Sequence, residues 1–268
     1  MKKRIKLLLV CIVVLAVFAA SPMGSYAMSL GVMKGYSIYN ERNSFLNEKK
    51  IEIQMPSGDG WYPFVMTFNA DDGFSAYVGC DRELTIMYNF PSFDLKKGCS
   101  RLYDASSAFY NSFYGAYAVN GRFGFDQEGN PLPQETALVP EYDFTKLVLR
   151  DLGMPGQKQV FDWRIQEISA EGDMAGFDSW IRIDARLTVN GVLHQPKEYL
   201  RNYIQYGKPG YPALEEFAPV EMKGRIYGRY FEEEDCSVFF YIVTSDTEVM
   251  EMCDRDILRK SKVVVKSK

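Results

Sequence analysis

His194 is the chain's one histidine, so any Ser-His-Asp or Cys-His mechanism has to run through its imidazole. No Gly-x-Ser-x-Gly elbow supplies a serine to pair with it. Asn190-Gly191 reads as a two-residue type I′ turn, because both central positions of that turn need φ > 0. Val189 would then pair with Val192, and His194 would fall opposite Leu187 on an apolar face. A lone histidine there is ordinarily a hydrogen-bonded core residue, so a structural part for His194 is expected ahead of a catalytic one. Asp71, Asp72, Asp81 and Glu83 are the carboxylates a glycosidase would need, one protonated and one ionised across a cleft. Nothing in their spacing brings two of them to one site. Asp126-x-Glu128-x-Asn130 has the alternate oxygen ligands of a calcium loop, but Pro131 stands where such a loop requires Gly for its sharp turn. A plain turn is the better expectation.

Binding chemistry has more to work with. Trp61, Tyr62, Trp163 and Trp180, with His194, are the ligand-binding candidates, since their rings stack on sugars or line an apolar cavity. Aromatic residues are 15% of the chain, and they are equally at home on pleated sheet surfaces and in cross-strand pairs. Trp180 stands apart, because it shares parity with Arg182 and Asp184 on what alternation marks as a polar face.

Residues 1–27 have the three-part layout of a secretory signal peptide: Lys2, Lys3, Arg4 and Lys6, an apolar run from Leu7 to Ala20, and Ser25-Tyr26-Ala27 as a small-x-small cleavage site. Ser21, Pro22 and Gly24 end the run short of the roughly 20 apolar residues that span a bilayer. Residues 28–268 are expected as one β-rich domain with no transmembrane segment, secreted or held at the cell surface, with a possible sub-boundary at 153–156. Losing the leader's four basic residues takes the formal net charge from −4 to −8. Nucleic acid is excluded on that balance, since phosphate binding runs on Lys and Arg. The basic residues near the end, Arg259, Lys260, Lys262, Lys266 and Lys268, read as the solvated flanks of an edge strand.

Beyond the leader the cysteines are Cys80, Cys99, Cys236 and Cys253. An even number in an exported chain reads as disulfides. Pairing Cys80 with Cys99 and Cys236 with Cys253 would close two loops of about 20 residues, worth about 3 kcal/mol each. There is no Cys-x-x-Cys and a single histidine, which argues against zinc, and no cofactor motif occurs.

These side chains must be held by strands. Period-two alternation recurs over Lys50 to Met55, Trp61 to Phe68, Phe74 to Val78, Glu83 to Phe90, Ser112 to Val119, Arg122 to Asp126, Ile181 to Val189, Val220 to Phe231 and Lys262 to Lys266. Ser237 to Thr244 is apolar almost throughout, as for a strand buried on both faces. Ser245 or Asp246 is placed to cap a short helix, while Thr145 to Leu152 fits a helix or a buried strand equally. Gly224 and Gly228 predict a bulge or bend. The expected fold is all-β, mostly antiparallel, a β-sandwich or closed β-barrel with one or two short helices.

No motif fixes a reaction. Composition and export point first to a non-catalytic binding or interaction protein for an extracellular glycan or apolar small molecule. A carboxylate-dependent hydrolase acting on polysaccharide and a barrel-type carrier of an apolar small molecule are the alternatives.

Overall fold

The computed structural model describes residues 2–56, 65–89, 93–94, 99–101, 104–148, 160–190 and 218–266. Two helices open the chain, α1 (Lys2–Ala20) and α2 (Pro22–Asn43), followed by strands β1 (Ile51–Gln54) and β2 (Met66–Asn69). Helix α3 (Asp71–Val78) leads into β3 (Leu84–Asn89), the short β4 (Phe93–Asp94) and β5 (Cys99–Ser100), and β6 (Phe113–Asn120). After α4 (Pro133–Tyr142) come the long strands β7 (Phe161–Glu171), β8 (Trp180–Asn190), β9 (Pro219–Phe231) and β10 (Cys236–Thr244), then α5 (Thr247–Asp256) and β11 (Lys262–Val265).

Seven strands form one antiparallel sheet in the order β2-β3-β6-β10-β9-β8-β7. Its two ends do not meet, so the fold is not a closed barrel. The expected layering of sheet on sheet is present only where the two-stranded β1-β11 ribbon covers part of one face. Helices exceed the one or two expected. Among the described residues, none is long and apolar enough to cross a membrane.

Both faces of the sheet's central strands are buried. On one, Tyr117, Phe239, Tyr241 and Ile226 pack against Phe74 of α3, Val139 and Tyr142 of α4, and Phe144. On the other, Ala116, Val238, Phe240 and Ile242 pack against Val249, Met250 and Cys253 of α5, Ile51 and Ile53 of β1, and Val263 of β11. Every residue of β10 is buried, which suits its almost wholly apolar sequence in the middle of a three-layer stack. Helix α1 contributes to neither cluster: Leu7 is 66% exposed and its neighbours Leu8, Leu9 and Val10 are exposed as well.

Several local expectations change. Phe74 to Val78 is a helix, because Asp71 and Asp72 sit in its first turn and Gly79 ends it in the left-handed conformation at φ +73°. Arg122 to Asp126 forms no strand beyond a single bridge of Phe125 with Pro131. Asp143–Val148 continues α4 as a π-helical turn. The bulge lies in β7, between Ile165 and Glu167, while Gly224 and Gly228 serve packing. A Cβ on Gly224 would stand 2.7 Å from Leu187 Cδ1, and one on Gly228 2.7 Å from Phe239 Cε1.

The hairpin centred on Asn190-Gly191 is overturned. Val189 has Phe161 of β7 on one side and Val220 of β9 on the other, so both edges of β8 are taken at that position; Gly191 and Val192 lie outside the described residues. Asn190 instead accepts a hydrogen bond at Oδ1 from the Val160 amide, 2.7 Å away. His194 lies outside the described residues, as do Trp61 and Tyr62.

Nor do the cysteines pair as expected. Cys236 and Cys253 are free and buried, and Cys80 is free and exposed; the side chain of Cys99 lies outside the described residues. The register gives the reason for the first pair. Cys236 lies level with Phe231 at the start of β10, whereas Asp254, next to Cys253, bonds Arg225, which lies level with Ile242. At about 3.3 Å per residue along a strand the two cysteines sit at different heights on the sheet, beyond the Cα separation of about 7 Å a disulfide tolerates. Burial pushes both thiols up to about 12. Since the thiolate is the nucleophile, neither is expected to react with iodoacetamide at pH 8 in the folded protein, and both are expected to label in denaturant. Mass spectrometry of the intact protein reads the difference.

Candidate functional site

Two of the four carboxylates singled out from the sequence, Asp71 and Glu83, are structural staples. Asp71 Oδ1 accepts from the Leu84 amide at 2.9 Å, tying α3 to β3, and burial holds its carboxyl above the usual range despite that bond. Glu83 accepts from Asn120 Nδ2. Asp72 and Asp81 are exposed, and none of the four lines a described cleft. The Asp126–Asn130 segment is a turn: Asp126 Oδ1 and Oδ2 accept from the Asn130 amide and Nδ2 at 2.8 and 2.9 Å. Those bonds to Asn130 hold the Asp126 carboxyl below its ordinary value.

The two described tryptophans do not converge. Trp163 packs beside Gly224 with the cluster on the α3–α4 face. Trp180 is 1% exposed on the opposite face, against Phe231 and Phe240. The polar face that alternation assigned to Trp180 is covered by the second layer. Arg182 and Asp184 tolerate that cover because they pair with each other.

What the fold brings together instead is a cleft of about 300 Å³ at one end of the central strands, which the sequence reading did not single out. Its lining includes Arg122, Gln127, Glu128, Ser179, Arg229, Tyr230 and Glu232. The β6-β10-β9 register builds it: Cys236 stands between Asn120 and Phe231, so the loop after β6 crosses the start of β10 to reach the end of β9. Arg122 lies over the Tyr230 ring, its guanidinium carbon 4.4 Å from the centroid. Arg122 Nη1 also donates to the carbonyls of Asp126 and Gln127 at 2.7 and 2.8 Å, which fixes the cation over the ring. Tyr230 donates its hydroxyl to Asp235 Oδ1 at 2.8 Å, and burial with that carboxylate keeps the phenol above its ordinary value.

Arg229 forms the far wall. It lies over Phe177 and Phe231, at 5.4 and 5.2 Å from their centroids, and donates to the Asp178 carbonyl. The β7–β8 connection beside it holds Ala175 and Ser179 at φ +55° and +59°, conformations that non-glycine residues rarely adopt and that concentrate at binding surfaces.

Ser237 anchors the opposite wall. Its buried hydroxyl donates to the Gly121 carbonyl at 3.0 Å and accepts from the Phe123 amide at 2.9 Å. Glu135 Oε2 accepts from the amide of the next residue, Gly124. Ser237→Ala leaves the Phe123 amide buried without an acceptor, and is expected to lower stability by about 1–3 kcal/mol. Urea unfolding measures that, and the 121–130 loop should show the largest rise in amide exchange.

A second cleft, of about 340 Å³, lies between the β1-β11 ribbon and the β2-β3 edge, with Glu41, Asn47, Glu52, Thr67 and Lys266 in its lining. Lys266 Nζ pairs with Glu52 at 2.9 Å across its mouth, and no aromatic ring lines it. The Arg122–Tyr230 cleft therefore has the stronger claim to a ligand. Among the described residues no group of three or more His, Cys, Asp or Glu side chains is placed to hold a metal ion. Comparison with protein-family models, with curated proteins and with solved structures finds no match for this chain.

Proposed function

We propose that this chain is an exported, non-catalytic binding protein that holds a hydroxyl-rich glycan in the Arg122–Tyr230 cleft. The observation that carries the reading is the cation fixed over the Tyr230 ring at 4.4 Å, with the amide of Gln127 and the carboxylates of Glu128 and Glu232 in the same lining. A ring beside convergent donors and acceptors suits a ligand with alternating C–H and O–H faces. The apolar-carrier alternative required an enclosed barrel, and the open sheet, packed on both faces, offers no such interior. Export is supported by the leader pattern and by α1, whose apolar side chains bury nothing on the body.

Calorimetric titration with neutral, N-acetylated and uronic acid oligosaccharides tests the reading. Binding by at least one class is expected, weakened about tenfold or more in Tyr230→Ala, in line with the loss of an anchoring aromatic. Binding by none, or binding indifferent to Tyr230, would refute it. Export is read separately: extracellular protein should begin at Met28, and leader-bearing protein confined to the cytosol would count against it.

Glu128 and Glu232 in one cleft favour a hydrolase as the second reading. Release of new reducing ends, abolished by Glu128→Gln or Glu232→Gln, would replace the first reading with that one.

A further inference from the structure

The two edges of the seven-stranded sheet are defended differently. β7 protects itself, with its bulge between Ile165 and Glu167 and with Arg164 and Glu167 exposed, the devices that discourage edge-to-edge pairing. β2, Met66-Thr67-Phe68-Asn69, carries no charge, no proline and no bulge. Its cover is α2. The Thr67 amide donates to Ser37 Oγ at 3.0 Å and the Asn69 amide to Asn40 Oδ1 at 3.2 Å, while Asn69 Nδ2 donates to the Asn40 carbonyl at 3.0 Å. Tyr36 packs on Phe68, their centroids 5.4 Å apart. Thr67 and Asn69 are alternate residues, so these are the outward-facing donors that an eighth strand would take. Two side chains, three apart on a helix, stand in for that strand.

The cover is a poor helix in its own right. Gly31 and Gly35 lie within it with nothing packed on them, and Val32, Ile38 and Tyr39 are exposed. Glycine inside a helix and apolar residues in water both favour release.

We infer that α2 is a removable cover on a latent strand-pairing edge, and that the partner it excludes is β2 of a second copy of this chain. Antiparallel pairing of β2 with its own image matches Thr67 with Asn69 and Asn69 with Thr67, which satisfies both outward donors on each copy. A two-fold contact of this kind is self-complementary and closed, and no like charges meet across it.

The test compares residues 28–268 with the same chain carrying Ser37→Ala and Asn40→Ala, both checked for native circular dichroism. In the double variant the Thr67 and Asn69 amides are expected to exchange about tenfold faster or more. Light scattering after size exclusion should show a concentration-dependent dimer where the parent is monomeric. Adding Thr67→Pro removes one outward donor without touching the β2-β3 ladder and should restore the monomer. Unchanged protection at both amides, fast exchange with a monomer at every concentration, or a dimer that persists with Thr67→Pro would each overturn the inference. If the double variant does not fold, Asn40→Ala alone, which frees only the Asn69 amide, is read in the same way.

Discussion

Replacing Arg225 by methionine is expected to destabilise the protein by about 3–5 kcal/mol, the cost of removing one member of a buried ion network and leaving its partners charged. Arg225 is 8% exposed at its side chain, and Asp254 is 7% exposed. Its Nε donates to Asp184 Oδ1 at 2.8 Å, Nη1 to Asp254 Oδ2 at 2.9 Å and Nη2 to Glu251 Oε1 at 3.2 Å. Burial works against the guanidinium's charge, but these bonds, Asp184's first, hold its pKa above the ordinary value. One cation thus joins β8, β9 and α5. Urea unfolding measures the loss. A compensating variant, Arg225→Met with Asp184→Leu, Asp254→Leu and Arg182→Leu, should recover most of it, because Arg259 keeps Glu171 as a partner and an apolar replacement of a buried network can match or exceed the original. A loss below about 1 kcal/mol for Arg225→Met would mean that water already screens the network as it does a surface pair.

Phe239→Ala is expected to cost a similar amount, about 3–5 kcal/mol, for a different reason. The ring is fully buried, stacked on Tyr117 and Phe125 at 4.6 and 5.9 Å between centroids. Gly228 lies opposite Phe239 in the β9-β10 register, and a Cβ there would press on the ring at 2.7 Å. Gly228→Ala alone is therefore expected to lose about 1–3 kcal/mol by overpacking. Placed in the Phe239→Ala background, the same methyl enters the cavity, so its cost should fall to near zero or reverse. Neighbouring sites that share a cavity are non-additive in this way. Denaturant melts of the two single variants and the double complete the cycle; strict additivity would show that the ring and the glycine do not share space.

The strands at 51–54, 113–120, 219–231 and 236–244 were legible because alternation, or its absence in a doubly buried strand, is a local property. So was the Asp246 cap of α5, whose carboxylate accepts from the Glu248 and Val249 amides. Helix α3 was missed although its signals were present: Asp71 and Asp72 at the start read as candidate acids, and Phe74 to Val78 read as alternation before Gly79. The partner of β8 was not legible. Asn190-Gly191 has the chemistry of a tight turn, yet strand choice was decided by β9, which lies beyond residues 191–218 in sequence.

The site was hidden for the same reason. Arg122 and Tyr230 are more than a hundred positions apart in sequence, and only the insertion of β10 between β6 and β9 places one over the other. Trp180 misled because alternation assigns residues to two faces without saying that both will be covered. Here the second face meets α5 and the β1-β11 ribbon, so a ring expected in water became one of the most buried side chains in the protein.

Among the described residues, β10 is the fourth of seven strands across the sheet and the tenth of eleven in chain order. Until residues 236–244 leave the ribosome, β3 and β6 cannot meet β9, and β1 waits still longer for β11. Synthesis therefore delivers the two halves of the sheet, β2-β3-β6 and β9-β8-β7, before the strand that joins them exists. Such distant pairings close slowly, in milliseconds to seconds, so the centre of the sheet is completed only after nearly all of the chain has been made.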